Sequence, residues 1–432
     1  MEFEDIFPIF EGCNNLKKHL MKIAIIGGGA AGFFAAITAK EKYPGNGVVL
    51  FEKTGKLLSK VKISGGGRCN VTNACANMDA FCEAYPRGGK RLKKLFHAFS
   101  NKAAMQWFEA RGVPLVVQDD NCVFPVSQDS QSIVDCLLNE ANRVGVKIKT
   151  SAGVHSLERA GSVWKLRFQG GNGPAEVFDS VIVATGGSPK MEGLQWLRDL
   201  GHKIEPPVPS LFTFNIPDDP VTRLMGVVVE NALVRIPGKK FSARGPILLT
   251  HWGLSGPAIL KLSSFAARYL NETGYQFRVL VNWLGEKNDE SVKTGLQVID
   301  NAHPRKLMIN TRPYSLPERL WLFLLSKSGI SEDKKWGEIG KKTFNKLVDV
   351  LTNDVYQVNG KSTFRDEFVT RGGVSLDDVD LKTMQSKVYK NLYFAGEVLD
   401  IDAITGGFNL QAAWSSGFVA GQLRGRHDTM DY

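Results

Sequence analysis

The sequence predicts an α/β fold in which a parallel sheet, built from both ends of the chain, is interrupted by a β-rich module and a small helical module. Near the start, an apolar strand leads into a glycine-rich turn and a helix, and a second apolar strand follows. Near the end, a strand-like segment again stops at a glycine, and a Gly-Gly pair precedes a last helix. Between these ends, dense prolines and short alternating runs indicate antiparallel strands.

These patterns divide the chain into five regions. They are an N-terminal extension (residues 1–20), a first sheet-domain part (21–200), an inserted β-rich module (201–285), a helical module (286–355) and a second sheet-domain part (356–432). Residues 1–20 lack a basic stretch followed by an apolar core, so we do not expect a secretory signal. The segment from about residue 200 to about residue 365 would therefore separate two halves of one domain.

Residues 22–53 have the arrangement of a Rossmann-type dinucleotide-binding unit. Gly27, Gly29 and Gly32 match the G-x-G-x-x-G spacing directly after the first strand. The first glycine permits a tight turn, the second lets the backbone approach a pyrophosphate, and the third allows the helix to pack closely on the strand. Glu52 ends the second strand about 20 residues after the last glycine, where a carboxylate can bind an adenosine ribose. An acid at this place favours FAD or NAD over NADP.

A second glycine-rich segment, residues 55–73, follows this unit. Three successive glycines are flanked there by Lys60, Ser64, Arg68 and Asn70. Such a loop exposes backbone N–H groups and cationic side chains, which suits an anionic, planar ligand. A flexible surface hairpin is the alternative, but the position after the second strand of a dinucleotide-binding fold favours ligand binding.

Further strand ends carry glycines in both halves of the chain. One apolar strand ends in the Thr-Gly-Gly of residues 185–187, and another in the Gly-Glu of residues 396–397. Residues 405–417 form a Gly-Gly turn before a helix of small residues, which would direct N–H groups toward an electron-rich ligand. A core helix with a glycine cap is the alternative. We expect the two ends of the chain to form halves of one nucleotide site.

Composition excludes several other classes of protein. With 43% hydrophobic and 23% charged residues the chain is of the ordinary globular type, and no apolar run reaches the roughly 20 residues that span a bilayer. The six cysteines form no C-x-x-C pair and no zinc spacing. We therefore predict no metal site and a location in the reducing cytoplasm.

Part of the formal net charge of +10 is concentrated in residues 87–102, RGGKRLKKLFHAFSNK. This segment could hold a nucleic-acid backbone, but a solvated helix face is the simpler interpretation because no nucleic-acid motif accompanies it. We therefore expect a small-molecule substrate, and no oligomeric state is indicated. Apolar residues at helical spacing predict one helix over residues 90–112, with Gly112 at its end.

Several longer motifs point to a known family. They are residues 60–73 (K-V-K-I-S-G-G-G-R-C-N-V-T-N), 250–257 (T-H-W-G-L-S-G-P), 372–374 (G-G-V), 383–387 (T-M-Q-S-K) and 395–417. In these motifs the chain resembles the bacterial NAD(P)/FAD-dependent oxidoreductases of the aminoacetone-oxidase and bile-acid-reductase-like group, over nearly all of residues 22–421. The resemblance implies a Rossmann-type FAD-binding domain interrupted by an inserted β-barrel-like module and a small helical module.

The resemblance also implies which residues bind FAD. They are Gly27, Gly29, Ala30, Ala31, Gly32, Glu52, Lys53, Lys60, Ser64, Gly65, Gly66, Gly67, Arg68, Cys69, Asn70, Val154, Thr185, Gly186, Gly187, Gly396, Glu397, Asn409, Leu410 and Gln411. Residues 188–194 (S-P-K-M-E-G-L) depart from the family's usual glycine-rich segment, and Ala403-Ile404 replace a glycine-led turn. The first departure concerns the substrate-side wall of the site, and the second lies near the expected position of the flavin ring.

The sequence thus predicts an FAD-dependent oxidoreductase acting on a small organic substrate. The insert contains no second complete G-x-G-x-x-G unit, so NAD(P)H, as electron donor, would visit the flavin transiently. The alternatives are a flavin oxidase that uses oxygen, a nucleic-acid-modifying flavoprotein and a non-catalytic flavin sensor. His251, paired with Ser255 on a glycine-bounded loop, is the candidate catalytic residue, with a structural hydrogen-bonding role as the alternative.

Overall fold

The computed structural model describes residues 20–170, 174–362 and 369–425. Of the predicted N-terminal extension, only Leu20 falls within the described part. Strands and helices are interspersed from residue 20 to about residue 200, and strands dominate the first part of the insertion.

The strands, in chain order, are β1 Lys22–Ile26, β2 Gly47–Phe51, β3 Thr72–Asn73, β4 Leu115–Val117, β5 Cys122–Pro125, β6 Lys147–Lys149, β7 Val154–Ala160, β8 Val163–Phe168, β9 Glu176–Phe178, β10 Ser180–Val183, β11 Ile204–Ser210, β12 Thr213–Asn215, β13 Val228–Arg235, β14 Ser242–Thr250, β15 Gly253–Ser255, β16 Gln276–Asn282, β17 Asp354–Asn359, β18 Lys361–Ser362, β19 Val369–Val374, β20 Val379–Asp380, β21 Gln385–Ser386 and β22 Leu392–Phe394.

The α-helices are α1 Ala30–Lys42, α2 Ser59–Ile63, α3 Met78–Glu83, α4 Gly89–Ala98, α5 Asn101–Glu109, α6 Gln131–Val144, α7 Gln195–Asp199, α8 Pro257–Phe265, α9 Ala267–Glu272, α10 Asp289–Ala302, α11 Glu318–Lys327, α12 Lys341–Thr352 and α13 Phe408–Gly421. Short 3₁₀ turns occupy Met191–Gly193, Pro220–Leu224, Met308–Asn310, Pro313–Ser315, Trp336–Glu338, Leu376–Asp378 and Gly396–Val398. None of the described helices is long and apolar enough to cross a lipid bilayer.

A mostly parallel sheet with the order β20-β21-β22-β10-β1-β2-β6 forms the centre of the first domain. Strand β1 lies between β10 and β2, both parallel to it, with Ile26 opposite Val183 on one side and Phe51 on the other. Its residues from Ile23 onward are buried, as expected of a parallel strand covered on both faces. The C-terminal ends of β1, β2, β10 and β22 meet at one edge, which is where open α/β sheets bind ligands. This sheet confirms the predicted α/β fold.

The first and last helices of the domain pack directly on each other. A Cβ atom added at Gly417 would lie 2.5 Å from the carbonyl oxygen of Ala31, and one at Gly421 would lie 2.5 Å from that of Ala35. Such distances are closer than side chains tolerate, so only glycine allows α13 to approach the α1 backbone this closely. The contact joins the two ends of the chain into one domain.

The inserted module is built around an antiparallel sheet with the order β17-β16-β13-β14-β15-β12-β18. Its core, which includes Phe214, Leu249 and Val281, is separate from the core of the parallel sheet. Strands β17 and β18 pair with β16 and β12. The boundary that we placed at residue 356 from the sequence therefore falls inside this sheet, because long-range strand pairing does not show in a local pattern. The antiparallel pair β11–β19 links the module to the first domain.

The predicted single helix over residues 90–112 is wrong, because the structure has two helices, α4 and α5. Phe99 is in an extended conformation with φ −147° and ends α4. Ser100 then caps α5 by accepting a hydrogen bond from the N–H of Ala103 at 3.2 Å. Serine is a strong N-cap residue, and this local cap outweighs the continuous apolar spacing. Gly112, with φ +81°, lies in the turn after α5.

We predict that Gly417→Ala destabilises the protein even though alanine is the better helix former. Helix propensity alone would stabilise this position by about 1 kcal/mol, whereas the added methyl group meets Ala31 and costs about 1–3 kcal/mol through overpacking. Urea denaturation of wild type and variant measures the difference. Gly55→Ala is the control, because its Cβ would meet nothing within 4 Å. A gain in stability for Gly417→Ala would show that the contact between α1 and α13 is looser than described.

Candidate functional site

A cavity of about 670 Å³ opens at the carboxyl edge of the parallel sheet. Its volume lies within the roughly 300–1,000 Å³ range of small-molecule sites. Both ends of the chain contribute to the lining, through the turns that follow β1, β2, β10 and β22 and through the start of α13. The inserted module contributes the remainder, including residues of β11, β12, β15, β18 and α8.

The turn between β1 and α1 carries the motif glycines in distinct roles. Gly27 has φ +117°, and a Cβ there would lie 2.2 Å from the carbonyl oxygen of Ala184. A Cβ at Gly32 would lie 1.9 Å from the carbonyl oxygen of Gly27, so this glycine serves packing. A Cβ at Gly29 would meet nothing within 4 Å, although this residue lines the cavity. Gly29 therefore leaves open space for a ligand.

Glu52 orders the backbone beside this turn. Its Oε2 accepts a hydrogen bond from the N–H of Gly28 at 2.9 Å, and its Oε1 accepts one from the N–H of Thr54 at 3.0 Å. The carboxylate lines the cavity at the end of β2, as the sequence predicts for a ribose-binding acid.

The start of α13 is tied to the segment that follows the triple-glycine loop. Thr72 donates a hydrogen bond to Gln411 Oε1 at 2.6 Å, and Trp414 Nε1 donates to the carbonyl oxygen of Val71 at 2.9 Å. The Asn70 amide, oriented so that its nitrogen donates to the carbonyl oxygen of Thr72, accepts from the N–H of Gly407 at 3.2 Å. These bonds place two segments more than 300 residues apart along one wall of the cavity.

The triple-glycine loop presents backbone to the cavity. Gly65, Gly66 and Gly67 all have positive φ, and a Cβ at either of the last two would meet nothing within 4 Å. Lys60 forms a 2.7 Å salt bridge with Glu397 at the cavity. The pair connects the loop to the 3₁₀ turn after β22.

Three residues of the predicted site do not line the cavity but support this loop or α13. The guanidinium of Arg68 stacks on Phe124, 4.2 Å from the ring centre. Cys69 is buried, and burial raises the pKa of its thiol to about 12, so that it stays protonated. Gln411 is also buried, and its amide holds Thr72, Ser415 and the carbonyl oxygen of Phe99.

A second cavity of about 640 Å³ adjoins the first. The two cavities share Gly27, Glu52, Lys53 and Thr185, and Val154 lines only the second. Val154 therefore lies in a neighbouring cavity that has Glu52 in its lining as well.

Most of the residues predicted to bind FAD thus come together around one cavity. Those lining it are Gly27, Gly29, Ala30, Ala31, Glu52, Lys53, Lys60, Ser64, Gly65, Gly66, Asn70, Thr185, Gly186, Gly187, Gly396, Glu397, Asn409 and Leu410. The structure places Gly32, Gly67, Arg68, Cys69 and Gln411 outside this lining, with Gly67 exposed, and Val154 in the second cavity.

The structure places His251 outside the cavity lining. Its side chain is exposed in the turn between β14 and β15, with its ring edge-on to Trp252 at a centroid distance of 4.4 Å. Ser255, the other member of the predicted polar pair, does line the cavity.

Sequence reasoning missed the lining residues of the inserted module, namely Ser210, Leu211, Thr213, Leu260, Ser362 and Val369. A signal was present for one of them. Thr213 begins β12 between Phe212 and Phe214, which are buried in the module's core, and strand periodicity places it on the face opposite Phe214. Leu211 lies in the bend before β12 with φ +55°, so strand periodicity does not predict its position.

The residues present fit FAD. Helices α1 and α13 both begin at the cavity, and neither has a side-chain cap. The first amides of a helix have no intrahelical acceptor, so both starts can bind phosphate or another electron-rich group. Glu52 suits the ribose because its carboxylate lines the cavity at the end of β2.

Three of the six lysine and arginine residues in the predicted basic segment form ion pairs. Arg87 binds the fully buried carboxylate of Asp402, and Arg91 and Lys93 pair with acidic residues at 2.8 Å and 2.6 Å. Lys90 and Lys94 are exposed on α4. The first contact is structural, because it fixes the segment before Thr405 to the start of α4.

We predict that Gly29→Val lowers the affinity for FAD by about tenfold or more. The new side chain would extend into open space of the cavity instead of into protein, so the apoprotein keeps its fold. Gly340→Val is the matched control. Gly340 is also an extended glycine N-cap with nothing near its Cβ, but it begins α12 in the helical module.

Titration of each apoprotein with FAD, followed by flavin fluorescence, measures the effect. Equal affinities for the two variants would mean that the open space at Gly29 does not receive the cofactor.

Comparison with known proteins agrees with this geometry. The HI0933-like protein Rossmann domain family matches residues 21–423. A 3-dehydro-bile acid delta(4,6)-reductase of Clostridium scindens is 28% identical, over 93% of this chain and 98% of the relative. A ribosomal RNA dihydrouridine synthase of Haemophilus influenzae is 30% identical over 91% of this chain and 96% of the relative, and that of Escherichia coli is 30% identical over 92% and 96%.

Among solved structures, a 3-ketosteroid-delta4-(5alpha)-dehydrogenase from Rhodococcus jostii is similar with a TM-score of 0.47 and 13% identity, covering 94% of this chain and 98% of that one. The family match spans nearly the whole chain and agrees with the geometry of the cavity. The chain therefore belongs to the HI0933-like protein Rossmann domain family and is an FAD-dependent oxidoreductase.

Proposed function

We propose that the protein is a reductase that saturates a carbon–carbon double bond conjugated to a carbonyl group. The observation that carries this proposal is the composite cavity. Elements that fit FAD form one part of its lining, and apolar and hydroxyl side chains of the inserted module form the rest. A substrate held there would meet the cofactor directly, without a cysteine relay, because the chain has no C-x-x-C pair.

The reactions of the relatives support this reaction class. One relative's name describes reduction of a delta(4,6)-unsaturated 3-dehydro-bile acid, and two others' names describe formation of dihydrouridine in ribosomal RNA. In the molecules named, both reactions add two hydrogens across a double bond near a carbonyl group. The shared chemistry is therefore more transferable to this chain than either substrate.

The chain's own residues would bind and orient the reactants. Bound FAD supplies hydride-transfer chemistry. The start of α13 would stabilise negative charge through its free N–H groups, and Asn70 fixes the position of Gly407 at that start. Leu211, Leu260 and Val369 would exclude water from the part of the cavity formed by the inserted module.

A small organic molecule is the first candidate substrate. The apolar side chains of the inserted module suit a compact ring system, and the hydroxyl groups among them suit a carbonyl. NADH or NADPH would serve as electron donor by visiting the cavity transiently, since the insert has no second dinucleotide-binding motif. The expected setting is the cytoplasm, in keeping with the free cysteines of the described residues.

Uridine in ribosomal RNA is the second candidate substrate. The names of two relatives favour it, as does the formal net charge of +10. Exposed lysines at the cavity, including Lys53 and Lys56, could contact phosphates near a base that enters the cavity.

We predict that one reduced nicotinamide cofactor bleaches the FAD absorbance of the holoprotein rapidly under anaerobic conditions. Stopped-flow mixing with NADH and with NADPH, each alone, measures both rates. A reductase should then regain its oxidised spectrum when cyclohex-2-enone or a uridine-containing RNA is added. Reoxidation by oxygen alone would favour an oxidase, and no bleaching by either cofactor would favour a sensor or another electron donor.

We predict that exposed lysines of α4 contribute to RNA retention if ribosomal RNA is the substrate. If RNA binds this helix, Lys90→Glu combined with Lys94→Glu should weaken RNA retention by about tenfold or more at low salt. Turnover of cyclohex-2-enone should not change, because neither residue lines the cavity. Filter binding at about 50 and 200 mM salt provides the measurement. Unchanged RNA retention in the variant would show that α4 does not bind RNA and is an ordinary solvent-exposed helix.

A further inference from the structure

The inserted module contributes several hydroxyl side chains to the cavity, namely those of Ser210, Thr213, Ser255 and Ser362. A hydroxyl can act on a substrate only if the protein does not already occupy it. The hydrogen bonds of these residues therefore show which of them is available.

Three of these hydroxyls are engaged within the protein. Ser210 donates to the buried carboxylate of Asp402 at 2.8 Å. Thr213 donates to the carbonyl oxygen of Ser362 at 3.2 Å and accepts from Trp252 Nε1 at 3.1 Å. The Ser362 hydroxyl donates to the side-chain oxygen of Asn215 at 2.8 Å. Their roles are structural.

Ser255 differs from the other three. Within the described residues its hydroxyl has no hydrogen-bond partner, and the side chain is half-buried at the cavity. Its backbone is fixed, because Ser255 pairs with Leu248 in the sheet and Gly256 fits closely against Leu248 and Pro246. A rigid strand therefore holds a free hydroxyl at the cavity.

The surrounding motif, residues 250–257, otherwise has structural explanations. The Thr250 hydroxyl closes the turn by donating to the carbonyl oxygen of Gly253 at 3.0 Å. Trp252 binds Thr213, and Pro257 occupies the first turn of α8. Among the described residues, His251 of this motif also lacks a hydrogen-bond partner, but it is exposed against Trp252 and does not line the cavity. Ser255 is therefore the member of the motif that offers an unpaired hydroxyl at the cavity.

We propose that the Ser255 hydroxyl donates a hydrogen bond to the carbonyl oxygen of the substrate. This inference rests on the proposed function, in which a conjugated double bond is reduced. Reduction of such a bond moves negative charge onto the carbonyl oxygen, so a donor at that atom stabilises the transition state. Leu211 and Leu260 also line the cavity. They keep water away from the hydrogen bond between Ser255 and the substrate carbonyl, and this strengthens the hydrogen bond.

The test uses the FAD holoprotein in its oxidised form and two probes of the same ring size. Cyclohex-2-enone carries the carbonyl, and cyclohexene lacks it. Titrations followed by perturbation of the flavin absorbance give a dissociation constant for each probe without turnover. We expect Ser255→Ala to weaken enone binding by about 3- to 10-fold and to leave cyclohexene binding unchanged. Ser255→Thr, which keeps a hydroxyl, should retain most of the enone affinity.

Ser242→Ala is the matched control, since Ser242 is exposed at the opposite end of β14 and does not line the cavity. Unchanged enone binding in Ser255→Ala, equal losses for both probes, or no response of wild type to the enone would each overturn the inference. The proposed function is tested separately, by reduction of the enone when an electron donor is added. Enone binding through Ser255 without reduction would contradict the function but not the hydrogen bond.

Discussion

The close contact between α1 and α13 is the constraint on which the rest of the structure depends. Gly417 and Gly421 allow the last helix to meet the carbonyl oxygens of Ala31 and Ala35. Because the helices are held together, their uncapped starts both open on one cavity. Two segments at opposite ends of the chain can then act on one cofactor.

A second set of contacts makes this cradle rigid. Hydrogen bonds connect the segment after the triple-glycine loop to Gly407, Gln411 and Trp414, and the Lys60–Glu397 pair joins α2 to the 3₁₀ turn after β22. The buried Arg87–Asp402 pair anchors the turn before α13. Asp402 also accepts from Ser210 of the link to the inserted module. The Asp402 carboxylate thus connects the segment before α13 to the inserted module, which completes the lining of the cavity.

Local patterns predicted most of the residues that line the cavity beside the parallel sheet, but not which motif residues are buried behind it. Gly27, Gly29 and Glu52 lie where the dinucleotide-binding motif indicates, because strand, turn and helix form one continuous stretch of chain. Cys69 and Gln411 belong to the same motifs yet are buried behind the lining, since a motif records proximity and not the direction of a side chain. The helix predicted over residues 90–112 was wrong because the local cap at Ser100 outweighs apolar spacing.

The sequence by itself determined the α/β class and the strand–turn–helix unit that carries the glycine motif, because each depends on residues close together in the chain. Only the tertiary structure decided which side chains of the inserted module reach the cofactor's cavity. Ser210, Thr213 and Ser362 resemble Ser255 in the sequence, and they differ in hydrogen bonds made to residues that pairing of distant strands brings near. Such pairings, like the assignment of β17 and β18 to the inserted sheet, are set by long-range packing that no local pattern contains.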